Sequence, residues 1–216
     1  MRRATRFVGW ALIGLALAGL VWAAEITGII RINWPNHTAS AEPIGFTGSA
    51  SMPPIPGAPP YGTVLATVTI PRLGTDVVDT PVIQGITDDI LARGIGHFPE
   101  TALPGQVGNF ALAGHRTTHG AEMDNIDRLR VGDFVYVKTA DNWYIYRLFR
   151  DRIVTPEDYW VVDAAPFGEV PGMSTHLITL TTCHPRWQTS ERWIWWGELV
   201  NTLPTTGEPP PLDING

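Results

Sequence analysis

The chain of 216 residues holds a single cysteine, Cys183, which ends the run "LITLTTC" and is followed by "HPRWQTSE". The run is apolar and β-branched, as a strand is, and the sequel with its proline reads as a loop. A thiol at that junction is accessible in a way that a mid-strand thiol is not. Thiol chemistry needs a thiolate, a group that carries the proton, and a donor for the oxyanion. Six histidines could carry the proton. His184 adjoins Cys183, and successive strand side chains point to opposite faces. His176 lies seven positions earlier, again an odd offset, and roughly 23 Å away along a strand. His37 falls in a proline-rich stretch, which leaves His97, His115 and His119. In "NFALAGHRTTHG", His115 follows a strand end just as Cys183 does, and two strand ends on one rim of a barrel bring their side chains together. Two cations are near. Arg186 lies in the loop after the cysteine, and Arg192 opens the next strand, "RWIWWGELV", so that a hairpin aims it back at the thiol.

The elements that must hold these groups are short strands. Strand-like runs occur at 63–70, 76–85, 107–114, 175–183 and 192–200, and a hairpin over 133–154 turns at Ala140-Asp141-Asn142. Short helices are expected at 87–95, where Thr87 precedes two acids, and at 121–130. Seven or eight strands with so little helix, plus 22 glycines and 19 prolines, point to an all-β closed barrel or sandwich. Residues 63–200 form the folded domain in this reading, and the tail 201–216 is expected to be disordered.

Ahead of the domain, residues 7–24 form an uncharged apolar run preceded by Arg2, Arg3 and Arg6 and followed by Glu25. Residues 1–6 are then a cytoplasmic basic terminus, 7–24 a membrane-spanning anchor, and the domain is extracellular. A cleaved signal peptide, cut near Val21-Trp22-Ala23, is the rival reading, and both export the rest. Residues 25–62 are a Pro/Gly/Ser-rich spacer. With one cysteine, no internal disulfide can form in the exported part. A net charge of −6 without a basic stripe argues against nucleic acid as a partner.

At these residues the chain resembles the sortases, membrane-anchored cysteine transpeptidases of Gram-positive bacteria. "TLTTC" matches the TLxTC signature, "LAGHR" stands where the family has its histidine, and Arg192 follows the cysteine by nine residues. "IPRLG" at 70–74, the stretch 92–120 and "TTCHPR" at 181–186 resemble class E in particular. The spacer lacks the Asp-Pro-aromatic lid motif often found in class C. The resemblance implies a closed eight-stranded barrel with one or two short helices. It also implies Cys183 as nucleophile, His115 as general acid/base and Arg192 as oxyanion or substrate support, with neither metal nor organic cofactor. Thr182 is expected to set its hydroxyl near the scissile carbonyl, and His97 and Arg186 to border the substrate, His97 alternatively bracing a turn. The implied substrates are surface proteins bearing LPxTG or LAxTG signals, cleaved between Thr and Gly. The implied acceptor is an amine of a peptidoglycan precursor or a pilin. Class E relatives favour alanine at the second position of the signal, so LAxTG is expected to serve at least as well as LPxTG.

Two other readings stand beside this one. The domain could be an anchored β-barrel that binds without catalysis. His115 and His119, spaced H-x-x-x-H, could hold a metal in a hydrolase, although Arg116 occupies the position where HExxH has its glutamate. Leu203-Pro204-Thr205-Thr206-Gly207 is itself an LPxTG pentapeptide, but the following "EPPPLDING" has neither the apolar segment nor the basic residues of a sorting signal. Self-recognition of Leu203–Gly207, in cis or by a neighbouring molecule, is the sharper reading of that stretch.

Overall fold

The computed structural model describes residues 58–168 and 174–212. The expected cytoplasmic terminus, the 7–24 anchor and most of the spacer lie outside the described residues. Among the described residues no helix is long and apolar enough to cross a membrane.

Eight strands close into a barrel in the order β1-β2-β3-β4-β7-β8-β6-β5. They are β1 (Val64–Thr69), β2 (Thr80–Gln84), β3 (Ile95–His97), β4 (Gly108–Ala113), β5 (Phe134–Lys138), β6 (Asn142–Val154), β7 (His176–His184) and β8 (Glu191–Pro204). One α-helical turn, α1 (Asp88–Leu91), and 3-10 turns at Pro71–Val77, Ile126–Arg128 and Tyr159–Val162 fill the connections. The helix expected over 121–130 is thus only a 3-10 turn, and the strand expected from residue 76 begins at Thr80. Three-residue β3 is too short to give a period. It pairs parallel to β2 and antiparallel to β4.

Alternation along β4, β7 and β8 divides the wall into two faces. Phe110, Leu112, Ile178, Leu180 and Trp195 face the barrel interior with Val68, Val82 and Val135. The alternate residues Ala111, Ala113, Ile194 and Trp196 face outward and are covered by Leu91, Phe98, Val161 and Val162, with Cys183 packed against that cluster. Burying each large side chain of this kind contributes about 1.5–3 kcal/mol, so the wall is stiff on both sides.

The expectation of a disordered tail from residue 201 is corrected at its start. β8 continues to Pro204 because Trp143 and Asn142 on β6 pair with Leu203 and Pro204. Beyond it, the Thr205 hydroxyl donates to the Ala140 carbonyl at 2.7 Å and its N–H to Asp141 at 2.9 Å. Pro210 is buried, lining a groove with Phe134, Tyr136, Ile145 and Leu203. The LPxTG stretch is therefore the clasp of the β5–β6 hairpin, with Gly207 N–H closing a turn onto the Pro204 carbonyl. Its leucine lies eleven residues along β8 from Arg192, roughly 36 Å of strand. A cis ligand role for Leu203–Gly207 fails on that reach and on the hydrogen bonds already made.

Candidate active site

Three neighbouring strands deliver three side chains to one place. β4 and β7 run parallel with Ala113 beside Thr181. The ladder extends one step past the strand end, where Gly114 N–H donates to the Thr181 carbonyl at 3.1 Å. Carried on by two residues, the same register sets His115 beside Cys183 on the outward face. β8 returns antiparallel on the other side with Arg192 directly opposite Cys183. Gly114 is needed at this junction because a Cβ there would lie 2.8 Å from Met123 Cγ. Met123 in turn donates its N–H to the His115 carbonyl at 2.9 Å, folding the following segment back over the histidine.

The electrostatics are those of a dry, half-finished site. Burial raises the Cys183 thiol above its ordinary pKa, with Arg192 and Arg116 pulling the other way. Burial, together with the neighbouring His119, lowers His115 below an ordinary histidine, opposed by Asp88. Thiol and imidazole are consequently both neutral near pH 7. His115 is buried, and its Nε2 has no hydrogen-bond partner. Arg192 is only 2% exposed. Its Nη1 donates to the Thr189 and Glu191 carbonyls at 2.8 and 3.0 Å, while its Nε is buried and unpartnered. A buried guanidinium without a carboxylate is costly, and its free donor suits an oxyanion that forms only during reaction.

The remaining expected residues fall elsewhere. Thr182 is fully buried and donates its hydroxyl to the Gly114 carbonyl at 2.7 Å. Its side chain faces inward, opposite to Cys183, so it ties β7 to the His115 loop and cannot reach a scissile carbonyl. His97 is buried inside the barrel, with Nε2 donating to the Ala102 carbonyl at 3.0 Å, Nδ1 2.7 Å from the Gln84 side-chain amide and its ring 5.1 Å from Phe110. It braces the core. Arg186 is held by Asp124 at 2.7 Å and by Asp127 at 3.5 Å, which fastens the β7–β8 loop to the segment after His115 rather than offering a free cation. His119, at φ 55°, stacks on His115 with centroids 4.7 Å apart and planes at 25°. Two stacked rings do not aim their nitrogens at a common ion. Among the described residues no cluster of three or more His, Cys, Asp or Glu could hold a metal.

The residue that the sequence reading passed over is Arg116, buried beside His184. The signal was available: if His115 shares a face with Cys183, its neighbour must share a face with His184.

Comparison with known proteins gives the family. The family model described as "Sortase domain" matches residues 68–200. The chain belongs to the sortase family. Among curated sortases, SrtE1 of Streptomyces coelicolor is 38% identical over 166 residues, 73% of this chain and 46% of that protein. SrtE2 of the same organism is 35% identical over 147 residues, covering 63% of this chain and 57% of that one. The matched stretch thus spans about half the length of these curated relatives. A crystal structure of Sortase E1 from S. coelicolor with a tripeptide in its active site superposes with a TM-score of 0.64 at 33% identity, covering 70% of this chain and 96% of that one. The eight-stranded barrel is the sortase barrel, and the class E resemblance is carried by named class E relatives.

Proposed function

We propose that this sortase is a cysteine transpeptidase acting on LPxTG- or LAxTG-type sorting signals, with Cys183, His115 and Arg192 as its reacting groups. The observation that carries the reading is the single line of register across β4, β7 and β8. On it a thiol, an imidazole nitrogen without a partner and a guanidinium with a free buried donor stand at adjacent positions. Cys183 passes its proton to His115 and its sulfur attacks the threonine carbonyl carbon. Arg192 Nε donates to the resulting oxyanion. The Thr–Gly C–N bond then breaks as His115 protonates the departing amine, leaving a thioester. An acceptor amine attacks the thioester and gives a proton to His115, and the leaving Cys183 thiolate takes that proton back, restoring the neutral pair. The apolar outer cluster beside Cys183, with Tyr159, Trp160 and Phe167 at its border, supplies a surface for the apolar start of the signal. The tripeptide bound in the active site of Sortase E1 from S. coelicolor supports a peptide substrate here. Residues 7–24 anchor the enzyme with the barrel outside the cell, where surface proteins and a peptidoglycan or pilin amine are its partners.

The test is to incubate the full chain in detergent with LAxTG and LPxTG peptides and a set of amines, and to identify products by mass. Products joined after threonine, lost in Cys183→Ala, are expected, with LAxTG used at least as well as LPxTG. Transfer that survives Cys183→Ala overturns the assignment. Because burial moves the two groups apart, kcat/KM should form a broad plateau. Its acid flank should lie below an ordinary histidine value and its alkaline flank above an ordinary thiol value.

A further inference from the structure

Behind the catalytic wall, on the inward face of the same rim, lies a second charged assembly. Each β7 residue stands beside the β4-side residue 68 positions earlier, and at the next step past His115 and Cys183 this joins Arg116 to His184. Arg116 is 5% exposed. Its Nη1 donates to His184 Nδ1 at 2.8 Å. Its guanidinium carbon lies 5.3 Å over the Trp193 ring, and Nη2 is 3.7 Å from Asp127 Oδ1. Its Nε is buried without a partner. His184 packs edge-on against Trp193 at 5.2 Å, and its Nε2 is 4.0 Å from Glu191.

Because Arg116 donates to Nδ1, that nitrogen must be the unprotonated one, so His184 is held neutral; burial and the adjacent guanidinium both lower its pKa. The positive charge of the assembly therefore sits on Arg116 alone, and it is poorly compensated, since Asp127 is half exposed and at long distance. Such a charge sandwiched beneath a strand end costs stability.

We propose that Arg116 is a positioning residue for the Cys183 reaction: through His184 it fixes the strand end that carries the thiol, and it stations a permanent positive charge behind the sulfur. Arg192 works on the outward face and meets the oxyanion; Arg116 never meets substrate and acts through the thiolate. The charged and titratable groups around Cys183 are Arg192 from β8, His115 and Arg116 from the segment after β4, and His184 on its own strand. Glu191, Asp124, Asp127 and Arg186 form the outer ring. This inference rests on the reading of Cys183 as nucleophile.

Since Cys183 is the only cysteine, its alkylation by iodoacetamide reports one thiol, and the rate against pH gives its midpoint in the full chain. Removing a nearby cation, in Arg116→Met, should raise that midpoint by roughly one pH unit and lower kcat/KM at pH 7 about tenfold. The KM for peptide should be little changed. Arg116→Lys should restore most of the midpoint, which a role confined to packing would not produce. Asp127→Asn, at an exposed site, removes the partial counter-charge and should move the midpoint down. A folded Arg116→Met with the wild-type midpoint overturns the proposal. If that variant does not fold, a midpoint unchanged or raised in Asp127→Asn overturns it. In either case, activity that still requires Cys183 shows that the nucleophile assignment stands and only this inference has failed. Transfer that persists in Cys183→Ala removes both.

Discussion

Two arginines in this sortase are held in opposite ways. Arg72, in the 3-10 turn after β1, gives Nε to both oxygens of Asp133 at 3.1 and 3.0 Å and Nη2 to Oδ1 at 2.7 Å. The Asp133 carboxylate is fully buried and also accepts the Arg130 N–H at 2.8 Å. Arg192 is buried, donates to backbone carbonyls, and keeps its Nε bare. The first is a finished bidentate pair whose charge is neutralised in the resting protein. The second has a buried donor left unpaired in the resting protein, as the proposed oxyanion role requires. Charge satisfaction, rather than burial, separates the arginine paired inside the barrel from the one proposed to serve chemistry.

That contrast can be broken by paired substitutions. Arg192→Met should lower kcat/KM by about 10²–10³-fold, the usual loss of an oxyanion donor, while the Tm holds or rises because an uncompensated buried charge is gone. Arg72→Met should do the reverse: Tm falls by several degrees, since Asp133 is left buried without its cation, and the folded enzyme keeps kcat/KM within a few-fold. A calorimetric scan and steady-state kinetics on both proteins decide it, and equal behaviour of the pair would end the distinction.

A second contrast lies between the two buried histidines, His115 in the site and His97 in the core. His97 is pushed down to about 4 from 6.5, chiefly by burial. The unfolded chain therefore takes a proton near 6.5 that the folded barrel refuses until about 4. Stability from this site is complete above the upper value and declines as the pH falls toward the lower one, by about 3 kcal/mol in total. Urea midpoints across that range measure it, and they should flatten in His97→Asn. The smallest effect belongs to Thr182→Val, which leaves the Gly114 carbonyl without its donor. A loss of about 1–3 kcal/mol is expected, with a fall in kcat as the His115 loop loosens. Unaltered stability and turnover would show that the hydroxyl is incidental.

The grouping of Cys183, His115 and Arg192 was legible in the sequence because all three lie at strand ends, and the ladders bring those ends together on one rim. The misplacement of Thr182 came from setting aside a rule already applied to His184: adjacent strand residues face opposite ways, so a threonine next to the cysteine must look inward. The same rule, applied once more, would have found Arg116. His97 could not be placed because β3 is too short to show a period, and its interior position is set by pairing with β2 and β4. The capture of Arg186 by Asp124, 62 residues away, and the clasp made by Thr205 across the β5–β6 turn are long-range contacts with no local trace. Proline and glycine in the tail signalled a chain end but not the strand pairing that precedes it.

The parallel ladder between β4 and β7 has a consequence for how this enzyme can change. The separation of His115 from Cys183 depends on lateral pairing, not on the length of chain between them. The long sequence interval between the two, from residue 116 to the start of β7, does not itself set that separation. Only a slip of β7 against β4 would undo it, turning Cys183 toward the core. The spacing of the two side chains is thereby a property of strand pairing, and it survives as long as the register does.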